Sequence, residues 1–166
     1  QYAYKINSEK IIEAKKGDIV FELGACWGAT ALYFAEKIGD NGKVYSFEFI
    51  PENLKIFKRN IELNPDKKKK IELIQNPVYS KSNIPIYFED AGASSIIQTS
   101  PFDNYEYKTL SISIDDFVNL KNISKVDFIA MDIEGSELEA LKGAMKTIKK
   151  FKPTLAISIY HSMDDF

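Results

Sequence analysis

The 166-residue sequence has little of several things, and each scarcity excludes something. Cys26 is the only cysteine, so an internal disulfide is ruled out, as is a metal site built from cysteine thiolates. His161 is the only histidine, and histidine chemistry therefore has one address. Charge of either sign is not in surplus: 22 Lys and Arg face 24 Asp and Glu, a balance that advertises no polyanionic or membrane partner. No apolar run approaches the roughly 18 residues of a membrane span, and the N-terminus carries no secretory pattern. The expectation is a cytoplasmic protein with no membrane and no nucleic-acid partner. Gln1 is not an initiator methionine, and Met163 to Phe166 opens an element that then stops. A piece of a longer chain, cut at both ends, is therefore expected.

Apolar and aromatic residues, by contrast, are plentiful. At 45% apolar content, with 20 Phe and Tyr side chains, residues 1–166 suffice for one domain with a single core. Runs of strand character alternate with segments of helical period, the signature of βαβ units and a mainly parallel, doubly wound α/β sheet. Strands are expected at Asp18 to Leu23, Lys43 to Phe49, Ile71 to Val78, Val126 to Ile133 and Thr154 to Tyr160. The first is almost continuously apolar, as befits a strand covered on both faces.

Helices are expected at Ala29 to Ile38, after Pro51, and over Ser136 to Lys150. The second is opened by proline, whose missing N–H costs nothing in the first turn, and shows Leu54, Phe57, Ile61 and Leu63 on its apolar side. The third shows Leu138, Leu141, Ala144, Met145 and Ile148 on one face. Between Ile84 and Ile97 an alternating segment, a small-residue turn and a second short run predict an antiparallel flap, with Tyr87, Phe88 and the Gly92 to Ser95 turn placed over a binding site. Strand character returns from Tyr105 to Ile114, and Asp115 or Asp116 opens a short helix.

In such sheets ligands bind beyond the carboxyl ends of the strands, near the point where strand order reverses. The strand ends here are unusually polar. Glu22-Leu23-Gly24-Ala25-Cys26-Trp27-Gly28 ends the first, Glu48-Phe49 the second, Gln75-Asn76-Pro77 the third, Asp132-Ile133-Glu134-Gly135 the fourth and Tyr160-His161 the fifth. Gly24 and Gly28 allow the sharp turn into a helix N-terminus, and Glu48 ends the next strand where a carboxylate can accept from both hydroxyls of a ribose. The dinucleotide fingerprint G-x-G-x-x-G requires a second glycine where the pyrophosphate passes, and Cys26 stands there. The spacing E-x-G-x-x-x-G suits a smaller nucleoside, which disfavours a nicotinamide oxidoreductase.

Asp132 and Glu134 lie two apart at a strand end and are expected to project together. Buried without partners they would be costly, so they should face a polar cleft. A third side chain that would complete a metal site with them cannot be named. Ser136 and Glu139 have the S-x-x-E spacing of a capping box and are assigned to helix initiation. Lys67 to Lys70 fall in a helix-to-strand turn, a solvated basic loop rather than an RNA-binding patch. Cys26 has no dedicated base, which argues against a nucleophile, and Trp27 is expected at the pocket mouth.

Taken together, the strings FELGACWGATALYFA, VYSFEFIPENLKIFKRNIELN, MDIEGSELEALKGA and LAISIYH resemble the FkbM family of methyltransferases, over about Gly17 to His161. The combination of GAxxG, FEFxPxN, DxEGxExxxLxGA and a strand-end histidine is far more specific than any one part. The resemblance implies a Rossmann-like class I fold, with its final helix and antiparallel strands missing here. It also implies the cofactor S-adenosyl-L-methionine and transfer to a hydroxyl of a glycan or small molecule. By position it places Glu22, Gly24, Ala25 and Gly28 around the methionine part of the cofactor, Glu48 on the ribose, Phe49 beside the adenine, and Asn76 and Val78 at the adenine edge. Pro77 departs from the family's usual small residue and has no N–H to offer. Asp132 is expected to receive the cofactor's amino group or a substrate hydroxyl. His161 and Glu134 are the candidate bases, histidine because its pKa lies near neutrality. An RNA methyltransferase and a module that binds the cofactor without catalysis are the alternatives.

Overall fold

The computed structural model describes residues 4–6, 9–92 and 95–159, with side chains from residue 12 onward. A hairpin of β1 (Tyr4–Ile6) and β2 (Glu9–Ile12), which the sequence pattern did not announce, precedes the main unit. The central sheet contains β3 (Ile19–Leu23), β4 (Lys43–Phe47), β5 (Ile71–Ile74), β9 (Phe128–Met131) and β10 (Thr154–Ile157). All its pairs are parallel, in the order β10-β9-β3-β4-β5. The chain thus builds outward from β3 to β5, then returns to the other side of β3. The reversal lies between β3 and β9.

Both faces are covered, as the apolar run in β3 requires. On one side Phe21, Leu23, Phe47 and Met131 pack with Phe117, Ala140 and Ala144 from α4 (Ile114–Leu120), α5 (Glu137–Lys142) and the turn after it. The Phe21 ring meets those of Tyr45, Phe47 and Phe117 at 5.4 to 6.1 Å. On the other side Val20, Val44, Phe128 and Ala130 meet Phe34, Ala35 and Ile38 of α1 (Ala29–Lys37) and the residue after it. Phe57 and Ile61 of α2 (Pro51–Glu62) continue that layer against Ala31 and Ala25. Burial of one such large side chain contributes roughly 1.5–3 kcal/mol. Glu22, a carboxylate that points from β3 into the α1 layer, is almost inaccessible.

Several expectations shift. The second, third and fourth strands end earlier than predicted, at Phe47, Ile74 and Met131. Glu48, Asn76, Asp132 and Glu134 therefore stand in the turns beyond the sheet. Leu63 is exposed, and Pro65 opens the short α3 (Pro65–Lys68) instead of a loop. Ser113, not Asp115 or Asp116, caps α4: its Oγ accepts the Asp116 N–H at 3.2 Å. Asp115 serves another helix. Its carboxylate accepts the N–H groups of Lys146 and Thr147 at the start of α6 (Met145–Phe151), at 3.0 and 2.8 Å, and the Thr147 hydroxyl.

The single helix expected over Ser136 to Lys150 is therefore two. It breaks at Gly143, where a Cβ would lie 2.2 Å from the Tyr79 carbonyl oxygen. Leu138 and Met145 are consequently exposed rather than part of one apolar face. The predicted capping box is absent too. Ser136 has φ −96° and ψ 9°, off the extended geometry a cap requires, and its side chain makes no capping bond. Glu137 instead accepts the Ile133 N–H at 3.0 Å.

The flap is a separate antiparallel sheet of β6 (Pro85–Phe88), β7 (Ile97–Gln98) and β8 (Tyr107–Leu110), with β6 in the middle. It is tied to the end of β5 by the parallel bridge between Val78 and Ile112 and by the Asn76 side chain, which donates to the Leu110 carbonyl at 3.0 Å. Among the described residues no helix is long and apolar enough to cross a membrane.

Candidate functional site

At the β3–β9 reversal the two chain segments touch backbone to backbone. Gly24 has φ +86°, and a Cβ on it would sit 2.0 Å from the Asp132 carbonyl oxygen. Only glycine satisfies both the left-handed turn and that approach. Gly28, φ +81°, is needed for a different reason: a Cβ there would press on the Phe57 ring at 2.9 Å. It lets α1 and α2 pack and turns away from the ligand side.

Above this junction opens a cleft of about 580 Å³, its open mouth included. Gly24 and Cys26 form one wall, Asp132, Ile133 and Glu134 another, and Asn76, Pro77 and Val78 a third. Phe49, Ile50 and Asn53 close the α2 side, and Gly92, Ser95 and Ile97 of the flap the last. Its lining mixes the apolar Phe49, Ile50, Val78, Ile97 and Ile133 with the carboxylates Glu48, Asp132 and Glu134.

Glu48 lies at the centre. Its Oε1 accepts the N–H groups of Phe49 (2.6 Å) and Ile50 (2.8 Å), and its Oε2 accepts that of Cys26 (2.9 Å) and the Asn53 amide (3.2 Å). Pro51 at the first position of α2 helps fix this geometry, because it starts the helix just where the preceding amides turn inward. Burial pushes the Glu48 carboxyl above its ordinary range, against the four donors, which pull it down. Cys26 is held at φ +47°, and its thiol is pushed up, first by burial and then by the neighbouring carboxylates. A thiol kept protonated is a poor nucleophile, in keeping with the expectation.

Of the residues singled out from sequence, Gly24, Glu48, Phe49, Asn76, Val78, Asp132 and Glu134 are brought together around the cleft. Glu22, Ala25 and Gly28 are not on its wall. Glu22 is sealed beneath the glycine turn, where the Ser46 hydroxyl donates to Oε2 at 2.6 Å and, among the described residues, Oε1 meets no hydrogen-bond partner. Burial, more than the nearby Glu48, raises its pKa to about 8. Asp132 and Glu134 do share the cleft, although not by strand alternation: Glu134 has φ +54° and Gly135 +93°, so a left-handed turn aims them. Tyr160 and His161 lie outside the described residues. Pro77 turns its missing donor to no disadvantage in the fold, since its carbonyl accepts the Ile112 N–H at 2.9 Å. Trp27 is half-exposed and donates its indole N–H to Asn53 at 3.1 Å.

Sequence reasoning missed Asn53, Ile97 and Ser136. For Asn53 a signal existed in FEFxPxN, a polar residue two places after the proline that opens α2. Ser136 was assigned to a cap it does not make. Among the described residues no three His, Cys, Asp or Glu side chains converge as a metal site would require.

The family model that matches the chain, over residues 12–166, describes the methyltransferase FkbM domain. No curated protein matches the chain closely enough to count as a relative. Among solved structures, methyltransferase FkbM from Methylobacillus flagellatus KT is similar at 27% identity with a TM-score of 0.66. The match covers 92% of this chain and 34% of that one, so this chain spans about a third of that protein's length. Fibrillarin from Aeropyrum pernix, solved with S-adenosyl-L-methionine bound, is 15% identical with a TM-score of 0.49, over 90% of this chain and 56% of that one.

Proposed function

The chain belongs to the FkbM methyltransferase family, and we propose that it carries the cofactor-binding half of a reaction moving a methyl group from S-adenosyl-L-methionine to a hydroxyl of a glycan or small molecule. The observation that carries this reading is the Glu48 carboxylate, fixed by four donors in a cleft lined by both apolar side chains and carboxylates. A nucleoside fits that lining. Glu48 accepts from a ribose hydroxyl, the adenine lies against Phe49, Val78 and Ile133, and its edge reaches toward Asn76. Asp132 and Glu134 complement an ammonium and a positively charged sulfur.

The cofactor, when bound, supplies an electrophilic methyl group on a sulfonium. The chain's residues provide position and a destination for a proton. The close approach of Gly24 to the Asp132 carbonyl fixes the two strand ends against each other. Correct alignment of the reacting groups is worth as much as ~7–11 kcal/mol of barrier. Glu134 or His161 takes the hydroxyl proton, a contribution of roughly 10²–10⁴-fold. The three carboxylates around the cleft oppose an RNA backbone, which favours an uncharged hydroxylic acceptor over a nucleic acid.

Calorimetric titration with S-adenosylhomocysteine and, separately, with NAD tests the reading. Saturable binding of the homocysteine compound alone is expected. Glu48→Ala should weaken it by about 10- to 100-fold, the loss of hydrogen bonds to a charged group. Binding of NAD alone, or affinity indifferent to Glu48, would overturn it. Binding without turnover on any hydroxylic acceptor would instead favour a non-catalytic module.

A further inference from the structure

Asn53 is almost wholly buried in the first turn of α2, and both of its polar atoms are engaged. Its amide nitrogen donates to Glu48 Oε2 and to the Gly92 carbonyl, both at 3.2 Å, and its oxygen accepts the Trp27 indole N–H. The amide's orientation is unambiguous, because an indole only donates while a carbonyl and a carboxylate only accept. The three partners come from three walls of the cleft: the end of β4, the flap between β6 and β7, and the glycine turn after β3. The flap is held at a second point by the same helix turn, where Asp90 Oδ2 accepts the Glu52 N–H at 3.1 Å.

Resting on the cofactor reading above, we propose that Asn53 is the positioning residue of the nucleoside cleft, joining the ribose-binding carboxylate to the flap wall and to Trp27. Glu48 has four acceptor positions, and all are filled. Three of the donors are backbone amides, fixed by the chain around them. The fourth, on Asn53, yields by rotation of a side chain. A ribose hydroxyl arriving at Oε2 therefore takes the place of the Asn53 amide, and the exchange is transmitted to the Gly92 carbonyl and to the Trp27 indole. The ligand gains a site already shaped for it, and the flap wall and the carboxylate are set by one group.

Trp27 is the sole tryptophan, so its fluorescence reports this exchange directly. In the wild type, S-adenosylhomocysteine should shift Trp27 emission with the same midpoint that calorimetry gives. Asn53→Ala removes the donor that the ribose displaces, so it should leave affinity within about threefold of wild type and abolish the shift. Without ligand, the same substitution should speed amide hydrogen exchange in peptides covering Asp90 to Gly92, leaving those of β3 and β4 unchanged. Trp27→Phe removes only the indole donor and so tests the same node if the alanine variant fails to fold; it should likewise speed exchange at Asp90 to Gly92. Exchange at Asp90 to Gly92 that ignores Asn53 would overturn the tether even if the ligand binds. A ligand that binds with Trp27 emission unchanged would overturn the coupling. Wild-type protein that does not bind the compound at all overturns the cofactor reading and the coupling with it, while the exchange measurement still decides the tether.

Discussion

Replacing Glu22 by glutamine tests the most unusual electrostatic feature of the fold. Glu22 is sealed under the glycine turn, with one hydroxyl donor and a pKa raised from 4.5 to about 8, principally by burial. The sign of its contribution follows from proton counts. Below pH 4.5 folded and unfolded chains both hold the proton, and Glu22 makes no difference. Between 4.5 and about 8 the unfolded chain releases it while the folded chain keeps it, so stability falls as pH rises. Above about 8 the loss is complete. That window, at about 1.4 kcal/mol per pH unit, sets a ceiling of about 5 kcal/mol, against a typical total of about 5–15 kcal/mol for a domain. Glutamine keeps the acceptor for Ser46 and cannot ionise. Urea unfolding of wild type and Glu22→Gln at about pH 5, 7 and 9 should give curves that nearly coincide at the lowest pH. They should diverge in the variant's favour by about 3–5 kcal/mol at the highest. Other carboxylates cancel in the difference. A difference that stays constant with pH to within about 1 kcal/mol would refute the argument, because it would mean that Glu22 ionises alike in both states.

Gly24→Ala should destabilise the chain by more than about 3 kcal/mol, since its Cβ would collide with the Asp132 carbonyl in a left-handed turn; chemical denaturation measures it, and a loss under about 1 kcal/mol would show that the strand ends move apart freely. Asp115→Ala removes the caps of Lys146 and Thr147 and should cost about 1–2 kcal/mol, read as a lower urea midpoint at unchanged slope. For the proton acceptor, His161→Ala and Glu134→Gln compared in single turnover should separate the two candidates. The one acting as base loses roughly 10²–10⁴-fold in rate with cofactor affinity unchanged, and a change within a few-fold excludes that residue.

The alternation of apolar runs with helical segments was enough to predict a parallel, two-sided sheet, because a strand buried on both faces can hardly be written any other way. Polar residues concentrated just beyond those runs likewise marked the end at which the cleft opens, and Gly24, Glu48, Phe49, Asn76, Val78, Asp132 and Glu134 do meet there. Strand spacing could not distinguish a residue at the mouth of the cleft from one beneath it. Glu22 and Gly24 are two places apart in one motif, yet one is sealed in the α1 layer and the other forms the wall. The break at Gly143 and the roles of Asp115 and Asn53 were also hidden. Each depends on a partner far away along the chain: Tyr79 for Gly143, Lys146 for Asp115 and Gly92 for Asn53. Local sequence determined which segments are strands and helices and which ends are polar, since those follow from near-neighbour periodicity. The tertiary structure alone decided which carboxylate is buried, which helix is cut and which amide joins three walls, since those are properties of contacts between segments.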